Sequence, residues 1–257
     1  MNTRLYTFSK TLLSLAGLTL GLMSTGSAWG GSVGCTDTTC TWDMVVNGES
    51  VGNGSFQADP KTGDIIFTDP VTVTGNNYTA SINSVSGNVD PILGFGVGAS
   101  TSGGIGSTFG FTFNLPIALQ GTIFADSSVS YSLTSLTSAG AQVAPVVGSN
   151  IVSAFEVDTS VGGLPSLNKG VDVGSTFFFV GGPQTQNSPV YTASNTFTGN
   201  LAYDLMTVKV DFSLSADSTV GLSGFVQQVV VPIPAAVWLF ASGVIGLAGM
   251  ARRKTAK

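Results

Sequence analysis

The chain has no histidine in 257 residues. That removes the imidazole base of a Ser-His-Asp triad and a principal zinc ligand. Its two cysteines, Cys35 and Cys40, are too few for a zinc site made of four thiolates. Charge is sparse: 9% of residues are Asp, Glu, Lys or Arg, so solubility rests on Ser, Thr, Asn and Gly. Six of the nine cations (Arg4, Lys10, Arg252, Arg253, Lys254 and Lys257) belong to the two ends. The body, from about 31 to 230, keeps only Lys61, Lys169 and Lys209 against all 14 acidic residues, a net of −11. Nucleic acid is held by neutralising its phosphates with Lys and Arg, so this surface excludes it as a partner. No body stretch of ten or more residues carries the 3.6-residue apolar period of a helix. Trp29 and Trp238 lie in the ends, so Trp42 is the one tryptophan of the body. A sugar site built on aromatic platforms would draw on Tyr191 and Tyr203, because Tyr78 and Tyr131 face a core by alternation.

What the body does have is alternation. Met206, Val208, Val210, Phe212, Leu214 and Ala216 interleave with Thr207, Lys209, Asp211, Ser213, Ser215 and Asp217. A period of two over twelve residues puts one face in a core and one in water, which is a strand. Phe109, Phe111 and Phe113 follow the same rule, as do Val129, Tyr131 and Leu133. Weaker runs are 65–68, 71–74, 78–85, 151–157, 175–180 and 220–230. Gly, Pro and Asn punctuate them at Asp59-Pro60, Gly75-Asn76-Asn77, Gly103-Gly104, Gly162-Gly163 and Gly181-Gly182-Pro183. The reading is an all-β, antiparallel, jelly-roll-like sandwich of one domain. The glycine-rich stretch 94–106 reads as a loop or a tight packing edge.

Both ends are targeting segments. Arg4 and Lys10 precede an apolar core, 11–24, and then small residues at Gly26, Ser27, Ala28 and Gly30. This is a secretory signal peptide, 1–30, and it sends the chain through the Sec machinery. In the oxidising compartment beyond, Cys35 and Cys40 read as a disulfide closing a short loop. At the other end, 231–257 reads VPIPAAVWLFASGVIGLAGMARRKTAK. A helix from Pro234 to Ala251 is about 27 Å long at 1.5 Å per residue, enough to span a bilayer core of roughly 30 Å. Arg252, Arg253 and Lys254 hold its far end in the cytoplasm.

Val231-Pro232-Ile233-Pro234, one apolar helix, the Ser242-Gly243 pair and the terminal Arg-Arg-Lys cluster resemble the PEP-CTERM sorting signal, in its VPLPA variant. The commonest motif has Glu between the prolines, where this chain has Ile233. The resemblance covers about a tenth of the chain. It implies recognition and removal of the tail by a membrane exosortase. It also implies transient anchoring in the inner membrane with the body in the periplasm, then release to the cell surface or medium in a setting of exopolysaccharide. An ordinary single-span anchor is the competing reading.

Two motif matches carry no chemistry. Gly48-Glu49-Ser50-Val51-Gly52 fits G-x-S-x-G, but no histidine exists to take the serine proton. Gly94-x-Gly96-x-x-Ala99 fits a dinucleotide fingerprint, but no helix follows it, and it reads as a glycine-rich turn. Glu156 and Asp158, spaced i, i+2 on an expected strand, share one face about 6–7 Å apart. That suits the solvated face of a strand whose buried face carries Phe155 and Val157. It also suits a shared Ca²⁺, or glycoside hydrolysis. No cofactor other than this calcium is expected. The expected function is therefore a non-catalytic cell-surface or matrix protein, with a carbohydrate-binding sandwich acting on exopolysaccharide as the alternative.

Overall fold

The computed structural model describes residues 35, 40–89, 91–146, 150–158, 164–165, 172–174, 178–200, 203–231, 240 and 244. The signal-peptide segment, Pro232, Ile233, Pro234, Arg252, Arg253 and Lys254 lie outside the described residues, as does the Gly162-Gly163 turn. Among the described residues no helix is long and apolar enough to cross a membrane. Phe240 and Val244 are helical.

The body is built of strands. In chain order they are β1 (Thr41–Val46), β2 (Glu49–Ser55), β3 (Gln57–Ala58), β4 (Ile65–Ile66), β5 (Val71–Thr74), β6 (Tyr78–Asn88), β7 (Ile92–Thr101), β8 (Ser107–Pro116) and β9 (Gly121–Ser135). Then come β10 (Ala141–Pro145), β11 (Val152–Asp158), β12 (Leu164–Pro165), β13 (Phe178–Val180), β14 (Thr185–Asn187), β15 (Tyr191–Gly199), β16 (Leu205–Leu214) and β17 (Ser218–Val230). The pairings between them are antiparallel and make two large sheets. Sheet 1 runs β12-β11-β16-β8-β1-β2, with β10 also on β16 and β13 on β10. Sheet 2 runs β14-β9-β17-β7-β6-β5, with β15 on the same side of β9 as β14; β3 and β4 form a small separate ladder.

The two sheets close on one apolar core, as alternation requires of a sandwich. Phe109, Phe111 and Phe113 of β8 are buried, and Phe212 of β16 stacks on Phe109 at 5.5 Å and on Phe111 at 6.2 Å between ring centroids. Phe95 of β7 stacks on Phe113 at 6.1 Å, joining sheet 2 to sheet 1. The chain crosses from β16 to β17 through Ser215–Asp217, and the corner is tied by Thr101, whose hydroxyl donates to Ser215 O and accepts from Ser218 N. The twelve-residue alternation read from Met206 to Asp217 is β16 plus this corner: the strand ends at Leu214, and Asp217 takes a φ of 47°.

β1 and β2 are joined by Asn47-Gly48, both at positive φ (52° and 85°), which matches the right-handed strand twist and makes a tight hairpin. The Cys35–Cys40 disulfide is present and adjoins the first residue of β1.

The structure corrects the first half of the glycine-rich stretch, while Gly103 and Gly104 do form a turn, at φ of 72° and 73°. Gly94, Gly96 and Gly98 are not in a loop but in β7, interior to sheet 2 between β6 and β17. Leu93, Phe95, Val97 and Ala99 of the same strand point into the core. Glycine is disfavoured in strand interiors, so composition argues for a turn. Packing overrides it, because a Cβ on Gly94, Gly96 or Gly98 would stand 2.6, 2.6 and 2.8 Å from the hydroxyls of Ser86, Ser84 and Ser81.

Candidate functional site

Those serines lie over a strand without side chains, and this shapes the outer face of sheet 2. On β6 the register slips between Ile82 and Ser84, leaving Asn83 as an extra residue. A bulge of this kind re-aims a side chain. Here Asn83 and Ser84, neighbours in sequence, are both exposed while Ile82 and Val85 are buried. The Asn83 amide nitrogen would be 3.2 Å from a Cβ on Gly98, so the carboxamide sits directly over the glycine row. On the far side of the row, β17 contributes Gly221 and Ser223, and β9 contributes Ser130 and Ser132. The Ser130 and Ser223 hydroxyls are 3.3 Å apart.

The opposite wall is the connection from β14 to β15. Tyr131 N–H donates to Ser188 Oγ at 2.9 Å, and Ser188 N–H donates to Tyr131 O at 2.8 Å. These bonds fix Asn187, Ser188 and Val190 at the rim. The result is an open cleft of about 550 Å³ floored by Gly96, Val97 and Gly221. A second cleft of about 300 Å³, bounded by Thr79, Ser81, Gly98, Ser100 and Thr219, shares Asn83 and Gly221 with the first. Together they form one groove across the strands. Its lining is hydroxyl, carboxamide and bare backbone, with the exposed Val190 side chain at the rim. The one ionisable group is Tyr131, whose ring is buried, stacks on Tyr191 at 5.4 Å, and has its pKa pushed well up by burial and then by Tyr191.

Two other concavities are accounted for by structure. A cleft of about 390 Å³ lies at the β1–β2 turn, but Asn47 there is engaged: its oxygen accepts from Thr108 N at 2.9 Å and its amide donates to Ser107 Oγ at 3.3 Å. The other, of about 300 Å³, includes Trp42, which is 8% exposed and presents no platform. Ser50, the serine of the G-x-S-x-G match, donates to Asp43 Oδ1 at 2.6 Å.

Glu156 is a correction. The alternation puts it on a solvated face, with Phe155 and Val157 inside. The register instead pairs Val152, Ala154 and Glu156 with Val210, Val208 and Met206, which are core residues. Glu156 is therefore on the core face and 1% exposed, while Phe155 lies on the other face under the Lys209 ammonium, 5.8 Å from its ring centroid. Both alternating sets on β11 contain apolar residues, so periodicity alone assigns the wrong one. The Asp158 side chain lies outside the described residues. Among the described residues no group of three or more acidic, His or Cys side chains is placed to hold a metal ion.

Sequence reasoning missed Asn83, Asn187 and Ser188 as site residues. The signal available was Gly-Phe-Gly-Val-Gly, an unbroken alternation that marks a strand bare on one face.

No family model matches the chain, and no curated protein matches it. Solved structures do. The enzymatically active domain of tailspike protein 4 from bacteriophage CBA120 aligns at 11% identity and a TM-score of 0.27, over 61% of this chain and 20% of that one. The CBM22-1 xylan-binding domain of Paenibacillus barcinonensis Xyn10C aligns at 9% and 0.23, over 60% and 85%. The family 11 carbohydrate-binding module of Clostridium thermocellum, solved with a β-1,3-1,4-mixed-linked tetrasaccharide, aligns at 12% and 0.24, over 74% and 96%. This chain thus spans a fifth of the tailspike domain. Scores this low leave the functional argument to the groove itself.

Proposed function

We propose that this protein is an exported, non-catalytic, jelly-roll-like sandwich that holds a neutral polysaccharide in the outer-face groove of sheet 2. The observation that carries the reading is the groove's composition: serine hydroxyls, the Asn83 and Asn187 carboxamides and a glycine floor. Hydroxyl and amide groups match the donors and acceptors of a sugar chain, and an uncharged lining suits a ligand without charge. The serine hydroxyls occupy the space over the β7 glycines, and Gly221, where a Cβ would meet nothing within 4 Å, leaves backbone open for a broad ligand to lie against the sheet. The groove's polar lining is made of groups that bind sugars, hydroxyls and carboxamides, and the reading is one of binding rather than turnover.

The test is retention of the intact chain in gels containing dextran or mixed-linkage glucan, against alginate as an acidic control. Retardation by a neutral polymer that falls at least several-fold in Asn83→Ala is expected. Equal mobility in every gel, or retardation by alginate alone, defeats the reading.

In the same proposal the tail, Val231-Pro232-Ile233-Pro234 with its helix and Arg252, Arg253 and Lys254, is an exosortase-processed sorting signal. The body then spends a period anchored in the inner membrane before reaching the surface or the medium. Replacing Pro232 and Pro234 with Ala leaves the helix apolar but removes the motif. The expected outcome is full-length chain trapped in the membrane, read by intact mass. Equal surface yield and equal mass for both forms overturns it.

A further inference from the structure

Sheets expose unpaired backbone at their edges, and natural proteins blunt those edges with charge, proline, bulges or brevity. Among the described residues the outer strands β2, β5, β12, β13 and β14 of the two large sheets follow that rule, and β13 and β14 are only three residues long. β5 has four residues, β12 has two and includes Pro165, and β2 carries Glu49 and a register shift against β1. β15 follows none of it. Its nine residues, Tyr-Thr-Ala-Ser-Asn-Thr-Phe-Thr-Gly, pair with β9 without a break in register and contain no charge and no proline. Among the described residues no strand pairs with its other side.

The direction of its backbone groups can be read from the neighbouring strand. Val231 N–H donates to Thr122 O, so Thr122 faces β17 rather than β15. Thr122 stands opposite Thr198. Direct partners in an antiparallel pair either bond each other or both turn away, so Thr198 turns away from β9, and by alternation so do Thr196, Ser194 and Thr192. Thr196 agrees: its N–H donates to the Asn195 carboxamide at 2.8 Å, a local cap on an edge donor.

We infer that β15 is a self-association edge, and that its partner is β15 of a second copy of this chain. The sequence is nearly symmetric about Asn195. An antiparallel pair centred there sets Thr192 against Thr198 and Ser194 against Thr196, and these are the residues whose backbone groups face outward. On the inner face it sets Ala193 against Phe197 and Tyr191 against Gly199, small against large. Asn195 meets its own copy on the two-fold axis. Such an interface is isologous and closed, which gives a dimer rather than a fibre. No charge opposes it at the seam. The two copies of sheet 2 become one continuous sheet, and both grooves fall on the same side of it. The pairing does not depend on what the grooves bind, so the two readings fail separately.

The decisive experiment uses register. In a non-hydrogen-bonded antiparallel pair the facing Cα atoms are about 4.5 Å apart, within disulfide range. Asn195→Cys in the intact chain is expected to yield a covalent dimer of twice the mass under mild oxidation. Thr192→Cys, whose partner is Thr198 and not itself, is expected to form no covalent dimer. Sedimentation of the unaltered chain gives the second reading: a dimer, reduced to half the mass by Thr196→Lys. Failure of Asn195→Cys to cross-link, equal cross-linking by Thr192→Cys, or an unaltered chain that is monomeric at every concentration each overturns the proposal.

Discussion

β8 and β7 are built on the same inward plan and differ on the outside. β8 buries Phe109, Phe111, Phe113 and Leu115, and β7 buries Leu93, Phe95, Val97 and Ala99. Outward, β8 carries Thr108, Gly110, Thr112 and Asn114, an ordinary polar strand surface, while β7 carries Gly94, Gly96 and Gly98 in succession. On β8 the single glycine makes room for Asp211, whose carboxylate would be 2.7 Å from a Cβ at Gly110. On β7 three glycines make room for three serines. Inward identity is set by burial, at about 25 cal/mol per Å² of apolar surface. Outward identity is set by what lies across the strand, and on β7 that produces a groove.

This difference is broken most severely from the inside. Phe113→Ala removes a wholly buried ring stacked on Phe95, so a loss of about 3–5 kcal/mol is expected from chemical denaturation. Outside, Gly96→Ala drives a Cβ against the Ser84 hydroxyl, and overpacking of this kind costs about 1–3 kcal/mol. Adding Ser84→Ala is expected to restore most of that stability while leaving the groove altered. A double variant as unstable as Gly96→Ala alone would mean that the glycine row is not there for its serines. Reducing Cys35–Cys40 is expected to cost at most about 2 kcal/mol, because the loop it closes spans only five positions. Collapse of the β-sheet circular dichroism on reduction would contradict this.

The smallest effect lies on β16. Burial raises the Asp211 carboxyl pKa, with Lys209 opposing. Its folded-state pKa is therefore above its unfolded one. The associated stability is present at acid pH and is lost as pH rises through the raised value. Asp211→Asn is expected to raise stability at neutral pH by about 0.5 kcal/mol and to flatten the acid limb of the stability profile. A destabilised Asn variant at neutral pH would show that the carboxylate is held by a partner it needs.

The sequence by itself determined the all-β class and the inward residues of β8, β9 and β16, because a period of two leaves one choice of core face when the other set is polar. It also determined the disulfide, for want of any other use for two nearby cysteines. Tertiary structure alone decided the rest. On β11 both alternating sets are partly apolar, so only pairing with β16 put Glu156 inside. On β7 glycine's poor strand propensity argued for a turn, and only the serines of β6 explain why a strand there must lack side chains. The groove likewise depends on a bulge at Asn83 and on a rim that returns from 187–190, more than a hundred residues along the chain. Local periodicity reports which residues a strand buries. It carries no information about which strand arrives beside it, because that is fixed by long-range pairing.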